Sequence, residues 1–244
     1  MPPVERIAIA PRGSYKERGI VLRVIRYQDN RLILNLLTQN HGRISYITSR
    51  SKAGLYQPMF ILEFEASKRS AELHKLSQCE NHPALHSIAM SPVKSTIVMF
   101  ISELLYKILH EPLDDNRMYD FIVHSIVELD KLDNQNAMNF HIWFLTHLAF
   151  FMGYSLPSSE PKGRWYDIKT GLYCSYIPSH PLRLAPEWIG LLHSVNTTPL
   201  SEVSNLGITT EQRRGLLGAL VDYYNYHCDT FGSVKSLDIL REVF

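Results

Sequence analysis

Three cysteines, Cys79, Cys174 and Cys228, are all that this 244-residue chain carries. They lie far apart and form no C-x-x-C pair. A structural zinc site of the usual spacing and a disulfide framework are both disfavoured, and a reducing compartment is expected. No apolar run approaches the roughly 20 residues of a membrane span. Residues 1–15 lack the basic start and apolar core of a secretory leader. A soluble, cytoplasmic protein with no membrane partner is the expectation. Catalytic signatures are missing as well. The chain has no G-x-x-x-x-G-K-[ST], no G-x-G-x-x-G and no G-x-S-x-G, and its eleven histidines make no H-E-x-x-H. His141 and His147 sit on an apolar helical stretch and read as packing residues, and Asp114-Asp115 reads as a solvated loop. Cys174 with His180 and Asp167 leaves an enzyme with an unfamiliar site as an alternative. The main expectation is a non-enzymatic protein with no cofactor and no metal.

What is present is unevenly distributed charge. Residues 1–80 hold 13 Lys and Arg against 7 Asp and Glu, a net of +6, whereas residues 81–244 hold 12 against 17, a net of −5. A basic module joined to an acidic one raises the expectation of a polyanion ligand, because Lys and Arg displace counterions from phosphates.

The hydrophobic period divides the chain in the same place. Residues 1–17, with three prolines, read as a flexible tail. From Arg18 to Glu80 five strand-like segments (RGIVLRVIRY, RLILNLLT, RISYITSR, MFILEFEA and AELHKLSQCE) are joined by short polar turns. Five short strands in so little chain predict a closed barrel, since an open sheet would leave exposed edges. The OB-fold is the expected type, and an SH3-like barrel remains possible from pattern alone. Beyond Pro83 the period becomes helical. Helices are expected over 92–110, 116–132, 136–152, 185–194, 209–230 and 236–244, with a small hairpin at 165–178 inside an insert of about 158–180. The fold class is thus α+β: an OB-type barrel over 18–80, then a mainly α-helical domain over 81–244.

Candidate binding residues cluster on the barrel. Arg23, Arg26, Tyr27 and Arg31 surround the first turn. Arg43, Tyr46, Arg50, Lys52 and Tyr56 lie on the third strand and the loop after it, and Lys68, Arg69 and Lys75 border the last turn. Cations of this kind track phosphates, and tyrosine rings can stack on bases. The expected function is nucleic-acid binding. The alternative is a protein–protein adaptor whose barrel charges only solubilise it.

The residues of 18–54 resemble the opening of the RecO family of bacterial DNA repair proteins: the G-I-V-L strand at 19–22, Arg26-Tyr27, Leu37-Thr38, Gly42 and the basic loop 49–54. The QPMFILEFEA strand, Met152-Gly153-Tyr154 followed by Pro157, and the closing SLDILREVF are similar to later family segments. Many relatives carry four cysteines in the insert. Here 158–180 has only Cys174, so metal binding is not carried over. The resemblance implies a non-catalytic recombination mediator. Such a protein binds single- and double-stranded DNA, anneals complementary strands and works with RecR. It engages the acidic C-terminal tail of single-strand-binding protein and thereby helps load RecA. The resemblance places DNA contacts on the basic barrel face and makes Arg26, Arg31, Arg43, Arg50 and Lys52 the leading candidates.

Overall fold

The computed structural model describes residues 13–70, 73–109, 116–153, 156 and 164–244. Contacts sort them into two compact units, one formed by the chain up to Leu85 with Leu109–Val123, the other by His86–Ile108 with His124–Phe244.

The first unit holds a closed barrel of β1 (Ser14–Tyr27), β2 (Arg31–Thr38), β3 (Gly42–Ser49), β4 (Ile61–Lys68) and β5 (Leu73–Asn81), in the order β1-β2-β3-β5-β4. All neighbours are antiparallel except β3 and β5, which pair in parallel over Ser45–Ile47 and Leu73–Lys75. This is the five-stranded OB-type closure. Leu34, Leu36 and Leu62 share one face of the sheet and Ile20 and Ile61 pair on the other; all five have no exposed surface. The β2–β3 turn closes on Gly42, whose φ of +68° suits glycine; the Thr38 hydroxyl donates to the Gly42 carbonyl at 2.8 Å.

The first strand begins earlier than the sequence pattern suggests. Residues 14–17, read as tail, pair with β4 from Ser67 back to Phe64. Glu17 is buried there, and its carboxylate accepts from the Asn40 amide (2.9 Å) and the His41 imidazole (2.6 Å). The Arg18 amide donates to it as well, at 2.9 Å, and a buried carboxylate held by these three donors anchors the strand start. Residues 1–12 of the expected tail lie outside the described residues.

The second unit is helical. Its elements are α1 (His86–Met90), α2 (Pro92–Ile108), α3 (Arg117–Lys131, shared with the first unit), α4 (Asn134–Ala137), α5 (Phe140–Phe151), α6 (Pro186–Thr197), α7 (Thr210–His227) and α8 (Ser236–Val243). Ser91 starts α2 by accepting the Lys94 amide at 3.2 Å. The buried Lys94 ammonium donates to the Ser87 hydroxyl (2.6 Å) and to the Asp130 (3.0 Å) and Leu132 carbonyls, satisfying the end of α3. Glu103 on α2 caps α8, accepting the Lys235 and Ser236 amides (3.0 and 2.9 Å) and the Ser236 hydroxyl (2.7 Å). Burial alone would raise the Glu103 carboxyl, but these donors and Lys107 outweigh it and hold it below the usual range. Thr209 and Gln212 cap α7 reciprocally.

The apolar stretch expected as one helix over 136–152 is two, α4 and α5. The break falls at Asn139, whose side chain donates to the Val203 carbonyl (3.3 Å) and accepts from Arg213 Nε (2.9 Å). The hairpin is present as β6 (Trp165–Asp167) and β7 (Leu172–Cys174), with a third strand, β8 (Arg183–Leu184), added against β6.

Gly215 on α7 faces Trp188 on α6 so closely that a Cβ would lie 2.4 Å from the indole ring. Gly215→Ala is therefore expected to destabilise the protein by about 1–3 kcal/mol through overpacking, read as a lower thermal midpoint. An unchanged midpoint would mean that the indole yields without cost.

Candidate nucleic-acid interface

Three connections meet at one end of the barrel. The β1–β2 hairpin delivers Asn30 and Arg31. The 3-10 turn after β3 (Arg50–Leu55) delivers Ser51 and Lys52, and it is tied to the hairpin by the Arg50 amide donating to the Asn30 carbonyl at 3.0 Å. The β4–β5 turn delivers Lys68 and Arg69; the amides of Arg69 and Ser70 donate to the Leu73 carbonyl at 3.3 and 2.9 Å. Between them runs a groove of about 760 Å³. Its cations are Arg31, Lys52, Lys68, Arg69 and Lys75, with no carboxylate among the described lining residues. All five are exposed. Charge of one sign along a cleft raises the local concentration of anions.

The barrel behind Lys75 is closely packed. His74, next to Lys75, is buried; its Nδ1 meets the Tyr15 hydroxyl, and it stands opposite Lys68 in the β4–β5 ladder. Burial first, then Lys68 and His41, lower its pKa, so it adds no charge to the groove near neutral pH.

Of the residues singled out in the sequence, the structure brings Arg31, Lys52, Lys68, Arg69 and Lys75 together. Arg50 is exposed and lies between Ser49 and Ser51, which both line the groove. Arg23, Arg26 and Tyr27 lie on β1 beyond a register shift after Val21, outside the lining, where Tyr27 is 42% exposed. Arg43 is half-buried opposite Leu37 and is also outside it. Tyr46 requires a correction. It has no exposed surface, its hydroxyl bonds that of Tyr15 at 3.2 Å, and its ring meets Phe64 edge-on. It is a core residue and cannot stack on a base. Tyr56 is buried too, with its hydroxyl 3.1 Å from that of Thr48. Sequence reasoning missed Ser49, Ser51 and Ser67, hydroxyl residues that flank the cations; their only signal is position beside a basic residue.

A second barrel groove, about 770 Å³, mixes Lys16 and Arg18 with Glu63, Glu65 and Glu80 and so suits a polyanion poorly. Cys79 lines it, and burial pushes its thiol up to about 11, away from reactive thiolate.

The alternative site in the insert does not assemble as a Cys–His pair. The Cys174 thiol faces the Trp165 carbonyl at 3.7 Å, while His180 Nε2 lies 3.3 Å from Asp167. Burial alone would raise Asp167, but the Thr170 and Lys169 amides and His180 outweigh it and lower its pKa. Arg183 sits over the Trp165 ring at 5.6 Å. These contacts join the strands of the small sheet. Among the described residues, no group of three His, Cys, Asp or Glu is placed to hold a metal, and no helix is long and apolar enough to cross a membrane. Asp114-Asp115 and Tyr154 with Pro157 lie outside the described residues.

Two family models cover most of the sequence: Recombination protein O N terminal matches residues 13–83, and Recombination protein O C terminal matches residues 90–237. The chain belongs to the RecO family. Relatives named DNA repair protein RecO align over almost their whole length. The one from Phocaeicola vulgatus is 33% identical, over 94% of this chain and 98% of the relative. That from Porphyromonas gingivalis is 32% identical over 93% and 98%, and that from Flavobacterium psychrophilum 30% over 94% and 98%. RecO is a family of DNA repair proteins, and the basic groove lies wholly within the span that matches its N-terminal model.

Proposed function

We propose that this RecO-family chain is a non-enzymatic DNA-binding mediator of recombination that holds single strands in the basic groove and anneals complementary ones. The observation that carries the reading is the groove itself, where three separate connections and strand β5 bring together five cations with no opposing carboxylate among its described lining residues. Two complementary strands repel through their phosphates. Cations that neutralise part of that charge lower the repulsion, and base pairing supplies the specificity, so annealing needs no active site. Family membership extends the reading to double-stranded DNA as a second ligand, to RecR as a working partner, to the acidic tail of single-strand-binding protein, and through these to RecA loading.

The test is fluorescence-anisotropy binding of a labelled single-stranded oligonucleotide across a salt series, followed by annealing of two complementary strands. If all five cations engage phosphates, the logarithm of the binding constant is expected to fall with the logarithm of salt at a slope of about −3.5. Absence of binding at low salt would overturn the reading and favour an adaptor whose barrel charges serve solubility.

A further inference from the structure

We infer that the groove grips a strand by its phosphates alone and leaves the bases turned away from the protein, free to pair. This rests on the DNA-binding reading above and specifies the chemistry of the ligand: a phosphodiester backbone, irrespective of the bases it carries.

The aromatic residues are in the wrong places for stacking. Sequence position offers Tyr27, Tyr46 and Tyr56, but Tyr46 and Tyr56 are buried and have hydroxyl partners inside the barrel. Tyr27 is exposed yet does not line the groove, and the described lining contains no aromatic side chain at all. The apolar lining offers no substitute platform: Ile47 and Leu76 are only 5% and 4% exposed. A base stacks on an open π-face or flat plane; the flat faces among the described lining residues are the guanidinium groups of Arg31 and Arg69, whose charge and fork geometry match phosphate oxygens. Asn30 is the single amide side chain in the described lining. One amide cannot read a succession of base edges.

What is presented suits phosphate oxygens. Long, flexible Lys and Arg side chains stand around Ser49, Ser51 and Ser67, whose hydroxyls are hydrogen-bond donors for phosphate. The Ser49 and Ser51 hydroxyls are already 3.0 Å apart. One donates to the other, which keeps its own proton for a ligand. A strand held in this way keeps its pairing edges in solvent, which is the state annealing requires.

The test compares three competitors for the full chain at low salt: oligothymidylate, an abasic strand of the same length, and oligothymidylate with neutral methylphosphonate linkages. The abasic strand is expected to compete within about threefold of oligothymidylate, because no stacking is lost. The methylphosphonate strand is expected to fail. Tyr27→Ala is expected to bind oligothymidylate as the parent does, and bound thymines are expected to stay reactive to permanganate. Stacked bases would each contribute roughly 5- to 150-fold. An abasic strand weaker by that margin, with thymines protected, would overturn the inference while leaving DNA binding intact. Failure of every strand to bind would remove it together with the DNA-binding reading.

Discussion

Replacing Lys68 and Arg69 together by alanine is expected to weaken single-strand binding about 25-fold at roughly 0.1 M salt and to flatten the salt slope by about 1.4, since each neutralised phosphate contributes about 0.7 to that slope. The two side chains are exposed at the β4–β5 turn and face the groove. Their removal leaves no buried group unpaired, so stability should move by less than about 0.5 kcal/mol. The turn itself is held by other atoms: the Leu73 carbonyl takes the Arg69 and Ser70 amides, and the Ser70 hydroxyl accepts the Leu73 amide at 3.1 Å. A thermal midpoint measured beside the anisotropy titration separates lost contacts from lost fold. An unchanged slope in a folded variant would place the phosphate contacts elsewhere on the barrel. Alanine at Arg26, which lies outside the groove lining, is the control, compared per charge removed. An equal loss there would show diffuse attraction by net charge instead of a groove.

The barrel was legible because period-two alternation and polar turns are local signals. The cations at its turns were legible for the same reason: Arg31, Lys68 and Arg69 sit beside turn residues whose positions the pattern reveals. What period two does not say is which face of a strand points inward. Tyr46, Ile47 and Thr48 are consecutive in β3 and all buried, so burial there does not follow the alternation, and a tyrosine that lies among cations in the sequence belongs to the core. The start of β1 was hidden for a different reason. Residues 14–17 look like tail because the contacts that make them a strand come from β4 and from Asn40 and His41, far along the chain. The same holds for the split at Asn139, whose partners are Val203 and Arg213. The groove needs side chains from three connections, and no local window contains it.

Replacing His141 by phenylalanine is expected to make the protein markedly less sensitive to acid. The ring is fully buried on α5, packed 5.0 Å from the Phe244 ring, and neither nitrogen has a hydrogen-bond partner among the described residues. Burial first, and then Arg213, push its pKa down to about 3. In the unfolded chain a histidine takes a proton near pH ~6.5. The folded-state value is depressed, so the unfolded state binds more protons over the interval between. His141 therefore contributes stability that is fully present above about pH 6.5 and is lost as pH falls toward 3, at about 1.4 kcal/mol per pH unit and about 2 kcal/mol by pH 5. Phenylalanine keeps a planar ring against Phe244, leaves no polar atom unsatisfied and takes up no proton. Urea unfolding at pH 7 and pH 5 should show the variant losing about 2 kcal/mol less than the parent between the two. Some acid sensitivity will persist in the variant, because burial also lowers the pKa values of His74, His147 and His227. The comparison isolates His141 since these three are common to both proteins. Identical pH dependence in the two would mean that water reaches the His141 nitrogens and that the core around α5 opens more readily than its packing implies.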